Sequence, residues 1–345
     1  MTDPLRRLSP VVRVAPAKLN LTLAVVGRRP DGYHELHSVM APLALADRLS
    51  LAVRATERAD SLHVAGLDPG PPSDNIVLTA IALARDAVGG AWPGGPGPAP
   101  ALAARLEKVV PVAAGLAGGS SDAAAALDGA LDTWSAELDH HTRHAVAARL
   151  GSDVPFFLSG GAALVEGRGE RVTELPGLHG SPGVLLATPA VRVSTRAVFD
   201  AFDALHGGHG DGSVRLSSVH LAEELRAGLS IGDLVARAGV LASANDLLAA
   251  SSQLTPGLVA FRRWLVRSLG RPFGLSGSGP TLWALYPSEA DAAADVEIVR
   301  AGVASGAVVA PGDGAPSIVA TSIVSDQGRR RGEPVAAGQA RREEA

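Results

Sequence analysis

Between residues 11 and 26 apolar and polar positions alternate. Leu19, Leu21, Leu23 and Val25 interleave with Lys18, Asn20, Thr22 and Ala24. A period of two predicts a strand that carries Lys18, Asn20 and Thr22 on one face and the leucines on the other. "RRPDGYHEL" (28–36) reads as a turn signalled by Asp31-Gly32, and "DRLSLAVRA" (47–55) alternates again as a second strand. The period then changes. "NIVLTAIALARDAV" predicts a helix, with Ser73 or Asp74 placed to cap it. "GGAWPGGPGPAP" (89–100) holds too many breakers for regular structure. "ALAARLEKVV" predicts a strand, and "PVAAGLAGGSSDAAAALDGALDTW" follows it, with Leu127, Leu131 and Trp134 at helical spacing. The order is strand, glycine-rich loop, helix. A further helix ends near Leu150, where Gly151 is a suitable stop.

"LPGLHGSPG" (175–183) reads as a domain boundary. Beyond it the pattern predicts a strand at "GVLLATP", a capped helix at "STRAVFDAFDAL" and a flexible loop at "GGHGDGS" (207–213). Helical segments continue to about residue 269. "FGLSGSGPTLWALYP" places a glycine turn between apolar strands, "SEADAAADVEIVRAG" is a helix, and "SIVATSIVS" a last strand. The tail from Asp326 is polar and expected to be disordered. No internal repeat is evident.

Composition narrows the function classes. A length of 345 residues predicts about two domains, and 46% hydrophobic residues provide a sizeable core. Aromatics make up 3%, so Ala, Leu and Val must fill that core. The net charge of −4 offers no basic field for nucleic acid. The absence of cysteine excludes disulfides, thiolate metal sites and a cysteine nucleophile. The N-terminus has no apolar run after its charges, and no stretch approaches a membrane span, so a cytoplasmic protein is expected. Among 31 Lys+Arg, lysine occurs twice, as Lys18 and Lys108. Lys18 is therefore out of character with its chain, and lysine differs from arginine where a compact point charge is needed.

Three stretches carry candidate chemistry. In "PVAAGLAGGSSDA" (111–123) glycines and serines stand at a helix start. Glycine lets backbone approach an anion, and the helix turns free N–H groups and its positive dipole end toward it. The sequence is not a Walker A loop, since no Gly-Lys-Ser/Thr follows. An ordinary turn capped by Ser120 or Ser121 is the competing reading, and the clustering of small residues favours phosphate. In "GSDVPFF" (151–157) Pro155 biases Val154 toward an extended backbone and so holds Asp153 in a rigid turn. A capping aspartate is the alternative there. "GLSGSGPTL" (274–282) is a glycine turn able to pass close to a ligand.

Together with "APAKLNLTL" (15–23), these stretches resemble, in order and spacing, the GHMP small-molecule kinases, which act on substrates such as homoserine, mevalonate and sugars. The resemblance spans roughly residues 11–325. Within the family, "APAKLNLTL", "RPDGYHEL", "SDNIV", "GSDVPFFLSGGAALVEGRGE", "STRAVF" and "NDL" (245–247) are similar to the branch acting on a cytidylyl-diphosphate polyol of the non-mevalonate isoprenoid route. The resemblance implies an α/β (α+β) chain with the GHMP kinase fold. Its N-terminal ATP-binding domain (10–178) would be ribosomal-protein-S5-domain-2-like. Its C-terminal domain (183–325) would be ferredoxin-like α/β and complete the substrate site, leaving 326–345 as the tail.

The resemblance also implies roles. Asp153 would be the base and Lys18 the cation beside it. Asn20 and Thr195 would contact the polyol and phosphate part of the substrate. Tyr33 and Phe199 would sandwich the cytosine, with His34 at its edge. Pro111, Gly115, Leu116, Ala117, Gly118, Gly119, Ser120 and Ser121 would cradle the ATP phosphates, and Asn75 and Lys108 would lie near the adenine. Mg²⁺ would arrive on ATP, with Ser121 as the candidate protein contact. The expected partners are ATP and a small-molecule substrate, with no nucleic acid and no membrane, in a monomer or weak homodimer. Family loops are often richer in glycine, so Ala113, Ala114 and Ala117 are expected to be helical or extended. Paired opposite charges are expected to keep Lys18 protonated and Asp153 ionised. The rival functions are another GHMP kinase, for homoserine or a sugar, and a non-catalytic nucleotide-binding regulator. Tyr33, His34 and Phe199 separate the first, and the joint presence of Lys18 and Asp153 argues against the second.

Overall fold

The computed structural model describes residues 10–324, apart from 55, 90, 94 and 177. The tail expected at 326–345 lies outside the described residues. The chain opens with β1 (Val11–Asn20), β2 (Ala24–Arg28) and β3 (His34–Val53). The alternation across 11–26 is thus two strands rather than one. Between them the backbone leaves the ladder, and Leu23 bridges Asn245 instead. The Asp31-Gly32 turn joins β2 to β3, with Gly32 at φ 85°. The strand expected at 47–55 is the far half of the 20-residue β3.

β4 (Ser61–Gly66) and α1 (Ile76–Val88) follow. The cap of α1 is Asn75, not Ser73 or Asp74: its Oδ1 accepts from the Val77 amide at 3.0 Å. Ser73 and Asp74 are spent on a short 3₁₀ turn, Pro72–Asp74, just before it. The breaker-rich connector still forms a minimal hairpin, β5 (Ala91–Trp92) and β6 (Gly95–Pro96). Then come β7 (Leu102–Lys108), α2 (Gly118–Trp134), α3 (His140–Leu150), a 3₁₀ turn (Pro155–Leu158), β8 (Ala163–Gly167) and β9 (Arg171–Glu174). These strands form a seven-stranded sheet ordered β4-β7-β3-β8-β9, with β1 and β2 also paired to β3. Leu127, Leu131 and Trp134 of α2 are buried against this sheet and α1, as their spacing predicted.

The second half holds β10 (Gly183–Thr188), α4 (Thr195–His206) and α5 (Gly212–Arg226). Four short helices follow: α6 (Ile231–Ala236), α7 (Ala238–Leu241), α8 (Leu248–Leu254) and α9 (Leu258–Leu269). The chain then runs through β11 (Gly274–Leu275), β12 (Leu282–Tyr286), α10 (Glu289–Ala304) and β13 (Ser317–Ser322). The strands make a four-stranded antiparallel sheet ordered β11-β12-β10-β13. Ser194, Asp211, Ser230 and Ser288 cap α4, α5, α6 and α10 through their side chains. The expected loop at 207–213 is shorter by two residues because Asp211 starts α5.

The halves join along β3. On one edge β3 pairs with β8 over residues 36–40 and with β7 over 48–53, leaving a gap between. The end of β13 fills it. Ile323 bridges Leu43, the Val324 amide donates to Pro42 O at 2.9 Å, and the Leu45 amide donates to Thr321 Oγ1 at 2.9 Å. One apolar cluster accordingly contains Leu19, Leu43 and Leu116 from the first half with Leu186, Leu221 and Trp283 from the second. No helix among the described residues is long and apolar enough to cross a membrane.

Candidate active site

A bulge between Pro16 and Lys18 turns β1 where the polar positions begin. It frees the Lys18 amide to donate to Leu116 O at 3.0 Å, so the strand is tied directly to the glycine-rich loop. The Lys18 side chain stands 4% exposed. Its ammonium donates to Asn20 Oδ1 at 2.6 Å and to Gly115 O at 2.9 Å, and lies 3.9 Å from Asp153 Oδ2. Burial pulls the Lys18 pKa below its ordinary value, and Asp153 pulls it back only partly. This corrects the expectation that the pair simply reinforces ionisation: desolvation is the larger effect. Asp153 is 33% exposed.

The orientation of Asn20 follows from its neighbours. Ser38 Oγ donates to Thr22 O at 2.5 Å, so it must accept from Asn20 Nδ2, at 2.8 Å. Asn20 therefore presents its oxygen to Lys18. Both ends of the amide are engaged within the protein. Ser38, which the sequence did not single out, fixes it.

Asp153 sits in the turn after α3, whose helix is stopped by Gly151. Val154 is helical (φ −64°, ψ −42°), not extended as Pro155 predicted. Pro155 begins the 3₁₀ turn instead, where a fixed φ and a missing N–H cost nothing. The turn is rigid for a different reason from the one expected.

The phosphate-loop candidate departs from expectation at its alanines. Ala113 and Ala117 have φ of 53° and 52°, left-handed rather than helical or extended. Ala117 is the N-cap residue of α2 and supplies no side-chain cap. Ser120 and Ser121 lie inside the helix, which removes the competing reading in which one of them is the cap. The first amides of α2, at Gly118, Gly119 and Ser120, precede the first intrahelical donor, Ser121. The Ser121 hydroxyl is buried without a partner among the described residues. The glycine turn 274–282 packs against this loop. Ser276 Oγ donates to Gly115 O at 3.0 Å, and the Thr281 amide donates to Ala114 O at 3.3 Å. A Cβ on Gly115 (φ +79°) would lie 2.2 Å from Ser276 O, and one on Gly277 would lie 3.1 Å from Lys18 Nζ. Asn245 of the "NDL" motif holds the turn by donating to Leu275 O and Gly277 O at 2.9 and 3.0 Å.

Around this centre the remaining residues fall in two groups. Thr195 begins α4, and its hydroxyl is 3.1 Å from Ser278 Oγ. His34 stacks on Phe199 at 4.7 Å between ring centroids and meets Asp203 Oδ1 through Nε2 at 2.6 Å. Tyr33 is 51% exposed, with the Arg168 guanidinium over its ring at 5.2 Å. Phe199 thus presents one face to His34, and Tyr33 one face to Arg168. Asn75 lends its side-chain oxygen to the α1 cap. Lys108 is 3% exposed and bonded to Asp47 and Asp122. Arg168, Asp203, Asp47 and Asp122 carry no sequence signal that sets them apart from surface charges.

The model for the GHMP kinases N terminal domain matches residues 75–161, and that for GHMP kinases C terminal matches 222–304. A 4-diphosphocytidyl-2-C-methyl-D-erythritol kinase of Rhodococcus jostii is 40% identical over 312 residues, 88% of this chain and 93% of that one. The chain belongs to the GHMP kinase family. A kinase of the same name from Symbiobacterium thermophilum is 46% identical over 194 residues, 55% of this chain and 63% of its own length. A crystal structure of 4-(cytidine 5'-diphospho)-2C-methyl-D-erythritol kinase shares 32% identity at a TM-score of 0.64, covering 91% of this chain and 100% of that one. Methanococcus jannaschii mevalonate kinase matches at a TM-score of 0.64 with 12% identity over 92% and 99% of the two chains, a likeness of fold. The two sheets and their helices are the GHMP kinase fold, and the protein is an ATP-dependent small-molecule kinase.

Proposed function

We propose that this GHMP kinase transfers the γ-phosphoryl group of ATP to the 2-hydroxyl of 4-diphosphocytidyl-2-C-methyl-D-erythritol, in the non-mevalonate isoprenoid route. The observation that carries the chemistry is the meeting of Asp153 and Lys18, 3.9 Å apart, with the Gly115–Ser121 loop. The substrate is inferred from relatives 37–46% identical that bear its name, and the stack of His34 on Phe199, with Tyr33 half-exposed beside His34 in the chain, supports a place for a flat base.

In this mechanism Asp153 orients the substrate hydroxyl and accepts its proton as the new O–P bond forms. The bond from the γ-phosphorus to its bridging oxygen breaks and ADP leaves. Charge on the transferring oxygens is met by Lys18 and the amides at the start of α2, so catalysis is positioning and electrostatics. Lys18, held by Asn20 and Gly115, cannot swing away. The Ser121 hydroxyl is buried without a partner among the described residues, and such an oxygen fits a Mg²⁺ carried by ATP, which when bound would neutralise phosphate charge there.

Two measurements test this reading. Asp153→Asn should lower kcat by at least ~10²-fold with ATP affinity nearly unchanged. Wild-type-like turnover would remove Asp153 as the base. Tyr33→Ala and Phe199→Ala should each weaken the cytidylyl substrate by about 1–3 kcal/mol, by analogy with stacking in single-strand binders, and spare ATP. Tyr33→Ala should leave the melting temperature unchanged because the ring is exposed. Equal loss of both ligands, or of thermal stability, would point to core packing instead.

A further inference from the structure

One cation beside the candidate site has no part in the mechanism above. Arg168 stands half-buried in the turn between β8 and β9, with its guanidinium carbon 5.2 Å from the centre of the Tyr33 ring. The backbone of Tyr33 is fixed by the β2–β3 turn. Its amide donates to Asp31 Oδ1 at 3.1 Å, and its carbonyl accepts from the Arg29 amide at 2.7 Å. The side chain is different: it is 51% exposed, and an exposed ring can turn among several staggered rotamers. A guanidinium over one face favours one of them by cation–π attraction.

Arg168 is itself held in place. Its amide donates to Glu170 Oε2 at 2.7 Å, and Nη2 donates to Ala148 O at 3.1 Å, in the last turn of α3. The next residue, Gly169, lies against the residue before Asp153: a Cβ there, at φ +129°, would stand 2.5 Å from Ser152 O. The turn that carries Arg168 therefore rests on the end of α3, beside the base. The neighbouring carboxylates are engaged by other groups. Glu35 accepts from Arg29 at 2.8 Å and from Arg171 at 2.5 Å, Asp31 accepts from Arg29 Nε at 3.2 Å, and Glu170 takes the Arg168 amide rather than its side chain. The guanidinium is left to the aromatic face.

We propose that Arg168 is a positioning residue for the cytidylyl substrate: it covers one face of Tyr33 and so holds the ring in the orientation that offers its other face to the base. The inference rests on the reading of Tyr33 as one wall of the cytosine site. A ligand's apparent affinity falls with the fraction of protein in the binding-ready state. Without Arg168 that fraction of Tyr33 rings drops. The contacts of Arg168 are with Tyr33, Glu170 and α3, apart from Lys18 and the phosphate loop, so the effect is confined to one substrate.

The experiment is steady-state kinetics of the full chain with ATP and 4-diphosphocytidyl-2-C-methyl-D-erythritol, arranged as a double-mutant cycle. Arg168→Met keeps the aliphatic stem and removes the cation. It should raise the KM of the cytidylyl substrate roughly two- to fivefold, the scale of an exposed cation–π contact, and leave kcat and the KM of ATP unchanged. In a Tyr33→Ala background the same substitution should raise that KM less than about 1.5-fold. In Tyr33→Phe, which keeps the ring face, the full effect should return. An effect of equal size with and without the ring would mean that Arg168 acts on the substrate directly, and overturns the proposal. An unchanged KM overturns it too, as does an equal rise in both KM values, which would report damage to the turn beside Asp153. Arg168→Gln, a second variant without the cation, decides the matter if Arg168→Met fails to fold. A wild-type KM in Tyr33→Ala alone would instead overturn Tyr33 as a wall of the site.

Discussion

The Lys18 ammonium is enclosed by Asn20 Oδ1, Gly115 O, the Asp153 carboxylate and the Gly277 backbone. A guanidinium is larger and planar, and it locks onto carboxylates in bidentate fashion. Lys18→Arg should therefore lower kcat by at least ~10²-fold, the scale of a lost oxyanion-stabilising donor. It should also cost about 1–3 kcal/mol through overpacking. A wild-type rate in steady-state assays would mean that charge alone suffices there. Ala117 makes the opposite case. Its left-handed φ of 52° is strained for alanine and relaxed for glycine. Ala117→Gly should raise the melting temperature, by about 0.5–1 kcal/mol of stability once glycine's greater freedom in the unfolded chain is counted. A lower melting temperature would show that the alanine methyl packs usefully in the loop.

At the scale of elements, two glycine turns from opposite halves of the chain close on one another. Gly115 carries both a positive φ and a backbone oxygen 2.2 Å from its missing Cβ. Backbone cannot be displaced as a flexible side chain can. Gly115→Ala should part the turns, weakening nucleotide binding and lowering the melting temperature together. Retained ATP affinity in a titration would show that the turns act independently. These elements also mark what sequence discloses. The strand–loop–helix order at 102–134 was readable because alternation, glycine clustering and helical spacing are local signals. Lys18 stood out because lysine is rare in this chain, but Asp153 read equally as a capping residue, and its meeting with Lys18 at 3.9 Å is long-range and was expected only through the family resemblance. Asn75 as a cap was missed because three polar residues in a row each have capping chemistry, and tertiary context chooses among them. The left-handed Ala113 and Ala117 were missed because steric preference argues against them. Asp47 and Asp122 were invisible because an aspartate pattern does not reveal burial. Their partner Lys108 comes from a third element, brought near by the sheet.

For the molecule as a whole, Asp122 is one group through which pH acts. Its pKa in the folded protein, about 7, exceeds the ordinary carboxylate value. The folded state therefore binds the extra proton, so this contribution to stability is present below about pH 4 and is lost as pH rises to about 7. Melting temperatures measured from pH 5 to pH 8 should fall in wild type and stay flatter in Asp122→Asn. Parallel curves would assign the slope to other groups. The seam at β3 bears on a different process, synthesis of the chain. Residues 42–45 are made early, yet the partners of that edge, Thr321, Ile323 and Val324, are made some 280 residues later. Until those residues leave the ribosome, a growing chain whose first sheet has already assembled carries an unpaired strand edge in its middle. Such an edge is a template for joining with other chains. Among the described residues β13 is the last strand made, so this edge stays open to neighbouring chains longer than any other pairing of the first sheet.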